Sequence, residues 1–388
     1  MAALGGRIAG GVRSGAGLLV IALALPACAA AIYYLLALIA AFRWKRDHTE
    51  PRPSGSGGFP PISILKPVHG RDPRFYDAIA SHATQDYPEF EILFGTVTPN
   101  DPALEDIARL QANFPQRRIE AVVVNTTAPN TKVGVLAELA SRARHPILLV
   151  NDSDILVEPG YFRTVTAPLE NASIGMVTCL YRAAADSPAS AAEALGIATE
   201  FAPSVLVARL LGVAEFALGS TMVFRASDLQ RIGGFDAIAD FLADDYQLGL
   251  HITRLGLRIE FAAEVVETDL GAGDWTQTWN HQLRWSRTIR VSRPSGYYGY
   301  VVTHATLWSL VAWAAGFPVI AAATLAIRMA AGIWIGAGIL RDRAVLRRCW
   351  AIPLRDLFGF AIWVGGLLGD TVQWRDRKLR LRRDGRIQ

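Results

Sequence analysis

The sequence predicts an α/β domain with a mainly parallel sheet, held between apolar segments that embed in a membrane. Three observations predict it. Apolar residues make up 51% of the 388 positions and mean hydropathy is +0.24, with the excess gathered in blocks at the two ends. Between those blocks, short β-branched runs alternate with helical patterns, as a parallel sheet with crossover helices requires. The polar residues able to carry chemistry lie just beyond one of those runs, where ligands gather in open sheets.

The first block has no charged residue between Arg13 and Arg43, and 17–42 is about long enough to span a bilayer. Leu25-Pro26-Ala27-Cys28 looks like an export-signal processing site, yet the apolar run continues past Cys28. A signal's apolar core stops at its cleavage site, so 1–45 is expected to be a retained anchor. Arg43, Lys45, Arg46 and Arg52 follow it, which predicts a cytoplasmic position for the next domain. Residues 46–61, rich in Pro, Ser and Gly from Pro51 on, form a linker.

Strands are predicted at 62–65, 91–97, 119–124 and 146–150, with helices at 73–82, 102–113 and 132–143 between them. The Ala-rich stretch 184–217 is predicted to be helical and interrupts the alternation. The domain is expected to run from 62 to 298. A second apolar block follows: 304–328, broken at Pro318, then 329–340. A helical hairpin over 299–340 is expected, because a single span would put Arg341, Arg343, Arg347 and Arg348 on the outer side. Residues 357–368 are too short to cross and suit an interfacial or re-entrant helix. The tail within 341–388 carries Arg375, Arg377, Lys378, Arg380, Arg382 and Arg383, a pattern for an anionic membrane surface. The formal charge of +4 therefore argues for lipid contact and not for nucleic acid. Cys28, Cys179 and Cys349 are too few and scattered for a disulfide framework or a zinc site.

The chemistry centres on Val150-Asn151-Asp152-Ser153-Asp154. In an extended backbone residues two apart share a face, so Asp152 and Asp154 would aim two carboxylates at one point. Such a pair suits Mg²⁺ or Mn²⁺, which complete their shells with water and substrate phosphates. Taken alone, Asp-x-Asp is as well explained by an Asx turn. The order of the remaining motifs favours a site for a metal-bound sugar diphosphate.

Those motifs are Lys66-Pro67 at the end of the first strand, Asn130-Thr131-Lys132, Asp152-Ser153-Asp154, Gly233-Gly234-Phe235, Asp244-Asp245 and Arg284-Trp285. In this order the chain resembles the membrane-bound GT-A glycosyltransferases of the large family-2 type. More narrowly it is similar to the ceramide glucosyltransferases and their bacterial relatives that glycosylate hopanoid lipids. The resemblance implies a Rossmann-like GT-A domain facing the cytoplasm, with Asp152 and Asp154 on the metal-diphosphate. Some ceramide glucosyltransferases have Gly where this chain has Asp154. It further implies Asp245 as general base, with Asp244 beside it able to raise a carboxyl pKa. Arg284 would stabilise the departing diphosphate and Trp285 would offer an apolar surface near the acceptor. His281 stands where the motif has Gln or Arg, followed by Gln282. Lys132 would reach the donor phosphates from a helix start, and Lys66 and Pro67 would lie by the nucleotide. The family's first acidic motif falls near Thr98, where only Asp101 is acidic, and Gly233 and Gly234 would let backbone approach the acceptor.

The expected activity is inverting, metal-dependent transfer of one Glc or GlcNAc from a UDP-sugar to a hydroxyl of a ceramide-like or hopanoid polyol lipid, in a bacterial inner membrane. Two alternatives stand beside it: a catalytically silent sugar-nucleotide or lipid-binding subunit, and transfer to a polyprenyl phosphate. The sequence does not set an oligomeric state.

Overall fold

The computed structural model describes residues 21–48, 58–374 and 377–388. Residues 1–20, the linker stretch 49–57 with Arg52, and Arg375 lie outside them. Helix α1 (Leu25–Asp47) is apolar all round as far as Phe42, and its inner face carries alanines together with Tyr34 and Trp44. Ala27, Ala30, Ala37 and Ala41 are buried, while Leu25, Ile32, Leu35, Ile39 and Phe42 face outward. Small residues let neighbouring helices approach closely where both sides are apolar.

The central sheet has the order β3-β2-β1-β4-β6-β5-β7. Strand β1 (Ile62–Pro67) pairs in parallel with β2 (Phe90–Thr96) and β4 (Ile147–Val150), and β3 (Arg118–Val123) extends the parallel half beyond β2. Strands β1, β2 and β4 are buried along their whole length, as sheets covered on both faces require. Between them run α2 (Phe75–Ala83), α3 (Ala103–Asn113) and α4 (Thr131–Arg142), within two residues of the predicted helices. Strand order reverses between β1 and β4, so the carboxyl ends of these two strands frame a crevice. Asp152 and Asp154 follow β4 directly.

The other half of the sheet was not legible as strands. It comprises β5 (Ile174–Ala184), β6 (Met222–Arg225) and β7 (Arg258–Asp269); β6 runs antiparallel to β4 and β5, and β5 runs parallel to β7. Strand β6 spans 4 residues, and β7 alternates buried with accessible positions imperfectly. Between β5 and β6 lies α5 (Pro188–Leu210), with a π turn at Ile197–Phe201 and a capping box at Ser187. Helix α6 (Asp244–Arg254) precedes β7, and α7 (Trp275–Ser292) follows it.

Among the described residues three helices are long and apolar enough to cross a membrane: α1, α5 and α9 (Pro318–Ile339). Helix α5 differs from the other two because 72% of its apolar window is buried by the rest of the chain, against 33% and 39%. The last apolar block does not divide at 328/329. Helix α8 (Ala305–Ala314) ends before Gly316, whose φ of +89° suits glycine, and α9 then continues unbroken from Pro318 to Ile339. Helix α10 (Ile352–Leu367) packs along α7, where Gly365 lies against Leu283 and Trp279. Within the basic tail, for which no strand was predicted, β8 (Thr371–Trp374) pairs antiparallel with β9 (Arg377–Arg380).

Arg328, the one charge in the 304–328 block, is fully buried. Its guanidinium grips Asp356 of α10 at 2.7 and 3.1 Å, and Asp356 also accepts a hydrogen bond from Thr306 of α8 at 2.8 Å. A charge among apolar helices is tolerated only when paired in this way. Arg328→Met is expected to cost about 3–5 kcal/mol by leaving Asp356 buried without its cation, seen as earlier melting in detergent, and Arg328→Met/Asp356→Leu should recover most of the loss. Wild-type melting of the single variant would show that the pair carries no weight.

Candidate active site

Residues predicted far apart in sequence meet at the carboxyl edge of the sheet. Asn130 caps α4 by accepting a hydrogen bond from Val133 N–H, which fixes the helix start and projects Lys132 over the end of β4. Lys132 Nζ lies 2.9 Å from Asp152 Oδ1 and 3.1 Å from Asp244 Oδ2, bridging β4 to the first turn of α6. Burial alone would lower the Lys132 pKa, but Asp152 and Asp244 outweigh it and keep the ammonium charged. Beneath them, buried Lys66 donates to the Asp152 carbonyl at 3.2 Å. Burial lowers its pKa to about 7 even though Asp154 and Asp152 oppose the shift.

Asp245 occupies the first turn of α6, where a carboxylate meets free backbone N–H groups. It accepts from Gly219 N–H at 3.1 Å and from Tyr246 N–H at 2.7 Å. Burial and then the neighbouring Asp244 raise its pKa to about 6, against the pull of Lys132 and the two N–H groups. Gly219 separates it from the β4 acids: a Cβ there would lie 3.5 Å from Asp152 Oδ2 and 3.6 Å from Asp245 Oδ2. The absence of a side chain leaves open the space between the two carboxylates.

The two acids of Asp152-Ser153-Asp154 do not share one target. The backbone turns at Ser153 and Asp154, so the extended geometry that would align them is lost. Asp152, with 46% of its side chain accessible, faces Lys132. Asp154 instead accepts a hydrogen bond from Thr268 of β7. Burial and then the charge of Asp152 raise the Asp154 pKa to about 7. Among the described residues no three His, Cys, Asp or Glu side chains converge as a ready-made metal cage. The donor set fits Mg²⁺ or Mn²⁺ taken up by one or two carboxylates and completed by phosphate oxygens and water.

A second group lies on α7, whose start is fixed by a capping box between Asp274 and Gln277. His281 Nδ1 is 2.5 Å from Glu193 of α5, and its ring is 4.7 Å from that of Trp285. Gln282 accepts from Arg355 of α10 at 2.9 Å, and Arg355 pairs with Glu200 of α5 at 3.1 Å. Arg284 is half-buried one residue before Trp285. Phe201 connects the groups: its ring is 6.3 Å from Trp285 and 5.5 Å from Tyr181. Tyr181 lies within the electrostatic reach of Asp245, Glu193, Asp152 and Asp154; burial first, and then these charges, push its phenol pKa up.

The remaining predicted residues frame the crevice. Pro67 closes β1 opposite Gly95. Asp101 is turned inward, accepting from Gly70 N–H at 2.9 Å, Ala103 N–H at 3.0 Å and Thr96 Oγ1 at 3.1 Å. Burial opposes ionisation, but these donors hold its pKa below the usual range, so it secures the loop after Lys66. Gly233 and Gly234, at φ +92° and +74°, make a turn that only glycine takes easily. Sequence reasoning missed the roles of Gly219, Thr268, Tyr181 and Glu193. The position of Gly219 between two acids depends on strand pairing, which no local pattern announces.

The fold, with its crevice at the carboxyl edge of the sheet, is of the GT-A type. The chain superimposes on a mannosyltransferase from Pyrobaculum calidifontis, solved in complex with GDP-Man and Mn²⁺, with a TM-score of 0.52 at 19% identity, covering 89% of this chain and 99% of that one. The family model for Glycosyl transferase family 21 matches residues 19–387, and the chain belongs to that family. It is 29% identical over 245 residues to ceramide glucosyltransferase 1 of Caenorhabditis elegans, covering 61% of this chain and 51% of that protein. It is 29% identical over 153 residues to the ceramide glucosyltransferase of Komagataella phaffii, covering 36% of this chain and 29% of that protein. The chain thus spans about half the length, or less, of these relatives.

Gly219→Ala is expected to fold normally, because the added Cβ meets only ordinary contacts, yet to weaken sugar-nucleotide binding by about tenfold by filling the gap between Asp152 and Asp245. Titration of UDP onto purified protein checks this, and wild-type affinity would mean the gap is not the ligand's.

Proposed function

We propose that this chain transfers a single hexose, Glc or GlcNAc, from a UDP-sugar to a hydroxyl of a membrane lipid, with inversion at the anomeric carbon. The observation that carries the proposal is Asp245, a carboxylate with its pKa raised to about 6 across an open gap from Asp152. A base must be ionised at working pH yet basic enough to take a proton, and a value near neutrality meets both demands. Asp245 would accept the acceptor hydroxyl's proton as that oxygen attacks the sugar. On the opposite side Asp152 would hold Mg²⁺ or Mn²⁺, joined by Asp154 only on its release from Thr268, and the ion when bound would neutralise charge on the diphosphate. Lys132 would then exchange carboxylate for phosphate, and Arg284 would steady the negative charge of the departing UDP. Trp285 and His281 would line the acceptor side. Lys66, Pro67 and the loop secured by Asp101 would shape the nucleotide side, with Gly233, Gly234 and Gln282 in support.

The named relatives favour Glc as the sugar and a ceramide-like acceptor, with a hopanoid polyol as the other candidate. The catalytic unit would be residues 62–298, facing the cytoplasm of a bacterial inner membrane and anchored by 1–45 and 299–340. The basic 341–388 region would rest on the anionic leaflet.

The deciding experiment measures UDP release by detergent-purified protein with UDP-Glc or UDP-GlcNAc and either lipid, followed by mass spectrometry of the product. A glycolipid formed by wild type and lost in Asp245→Asn supports the proposal. Turnover that survives Asp245→Asn would favour polyprenyl phosphate, an acceptor already ionised, and nucleotide binding without turnover would favour a silent subunit. Because the base works only when deprotonated, kcat/KM is expected to fall about tenfold per pH unit below the Asp245 value of about 6 and to level off above it. Chelation with EDTA is expected to abolish turnover, and Mn²⁺ to restore it.

A further inference from the structure

The segment 371–388 touches both halves of the active site. Asp244 and Asp245 are delivered by the loop 239–243, which follows a short 3-10 turn at Phe235–Ile238. On one side Asn130 holds that loop: its N–H donates to the Ala239 carbonyl at 2.9 Å and its side-chain amide to the Phe241 carbonyl at 2.7 Å. On the other side the tail holds it. Ile387 N–H donates to the Asp240 carbonyl at 2.7 Å, and Arg386 forms an antiparallel bridge with Phe241. The Arg386 guanidinium lies 5.4 Å from the Phe241 ring centre. Leu242, two residues before Asp244, is buried against Val372, Leu379 and Leu381 of the hairpin. Arg377 also donates to Thr131, beside Lys132, at 3.4 Å.

The hairpin meets α7 through Val291, packed against its apolar residues, and the chain leading into it, 367–371, is hydrogen-bonded to the same helix. Arg290 donates to the carbonyls of Leu367 and Gly369 at 2.7 and 2.6 Å, and Arg287 to those of Leu368, at 2.6 Å, and Thr371. Arg287 and Arg290 lie one and two helical turns after Arg284. We infer that the 371–388 hairpin is a brace that sets the Asp244-Asp245 loop in register with the Arg284-Trp285 helix, with Ile387 and Arg386 as positioning residues. A basic tail needed only for lipid contact would be exposed along its length; this one shares a small apolar core with Leu242 and Val291 and commits the Ile387 N–H to the loop before Asp244.

The inference rests on the proposed activity only for its turnover arm. Full-length Ile387→Pro lacks the N–H that reaches Asp240, and Ile387→Val keeps it. Hydrogen exchange by mass spectrometry is expected to show amides 239–247 exchanging about tenfold faster in Ile387→Pro than in Ile387→Val or wild type. Turnover is expected to fall about tenfold or more, with KM for the sugar nucleotide within about twofold, because small misplacements of a catalytic group act on kcat. If Ile387→Pro does not fold, Arg386→Ala at the accessible end of the bridge is compared with wild type by both readouts. Unchanged exchange over 239–247 overturns the inference, as does faster exchange with wild-type turnover. If wild type itself turns over no substrate, the activity proposal fails while the exchange arm still decides the brace.

Discussion

The structure depends on a single ammonium. Lys132 lies within about a hydrogen bond of Asp152 and Asp244, at the edge where the parallel half of the sheet meets the first turn of α6. Asp152, Asp154, Asp244 and Asp245 lie along this edge; beyond burial, Asp152 raises the pKa of Asp154 and Asp244 that of Asp245, where Lys132 opposes the rise. The Asn130 cap starts α4 where Lys132 can intervene. That arrangement leaves the Asp245 pKa at about 6. The site's electrostatics and the fold's connectivity are thus one problem: β4, α4 and α6 must end or begin together.

The membrane-facing half works under a different constraint. Apolar helices in an apolar solvent gain little from burying one another, so small side chains and buried polar pairs decide their packing. Alanines line the inner face of α1, Arg328 grips Asp356, and Arg355 joins Glu200 to Gln282. The last pair connects the bundle to α7 one residue after His281. Phe201 and Tyr181 continue the contact towards the acids. His281, Gln282 and Trp285 are therefore placed by contacts with the apolar helices.

Legibility followed periodicity. The continuous apolar run of β4, the shorter patterns of β1, β2 and β3 and the helical patterns of α2, α3 and α4 read correctly to within a few residues, because local pattern and tertiary environment agree there. Strands β5, β6 and β7 did not: β6 is short, β7 presents mixed faces, and β5 is a buried apolar run ahead of an Ala-rich helix. The Asp152-Ser153-Asp154 motif was found by its chemistry, but its geometry was misjudged: an extended backbone was assumed where the chain turns, and Thr268, far along the sequence, takes Asp154. The hairpin in the tail escaped because alternation among arginines carries almost no apolar signal; its strands are specified by Leu242 and Val291 across the fold.

The sequence by itself determined the apolar blocks, the α/β middle, the order of acidic and basic motifs and the residue types needed for charge at a diphosphate. These are properties of composition and local period, which the chain carries wherever it is folded. Tertiary structure alone decided which acid faces Lys132, that Gly219 opens the gap between Asp152 and Asp245, that Glu193 meets His281, and that Ile387 reaches Asp240. Each of these joins residues from separate elements, and their pKa values and partners arise only when burial and neighbouring charge are set by the whole fold.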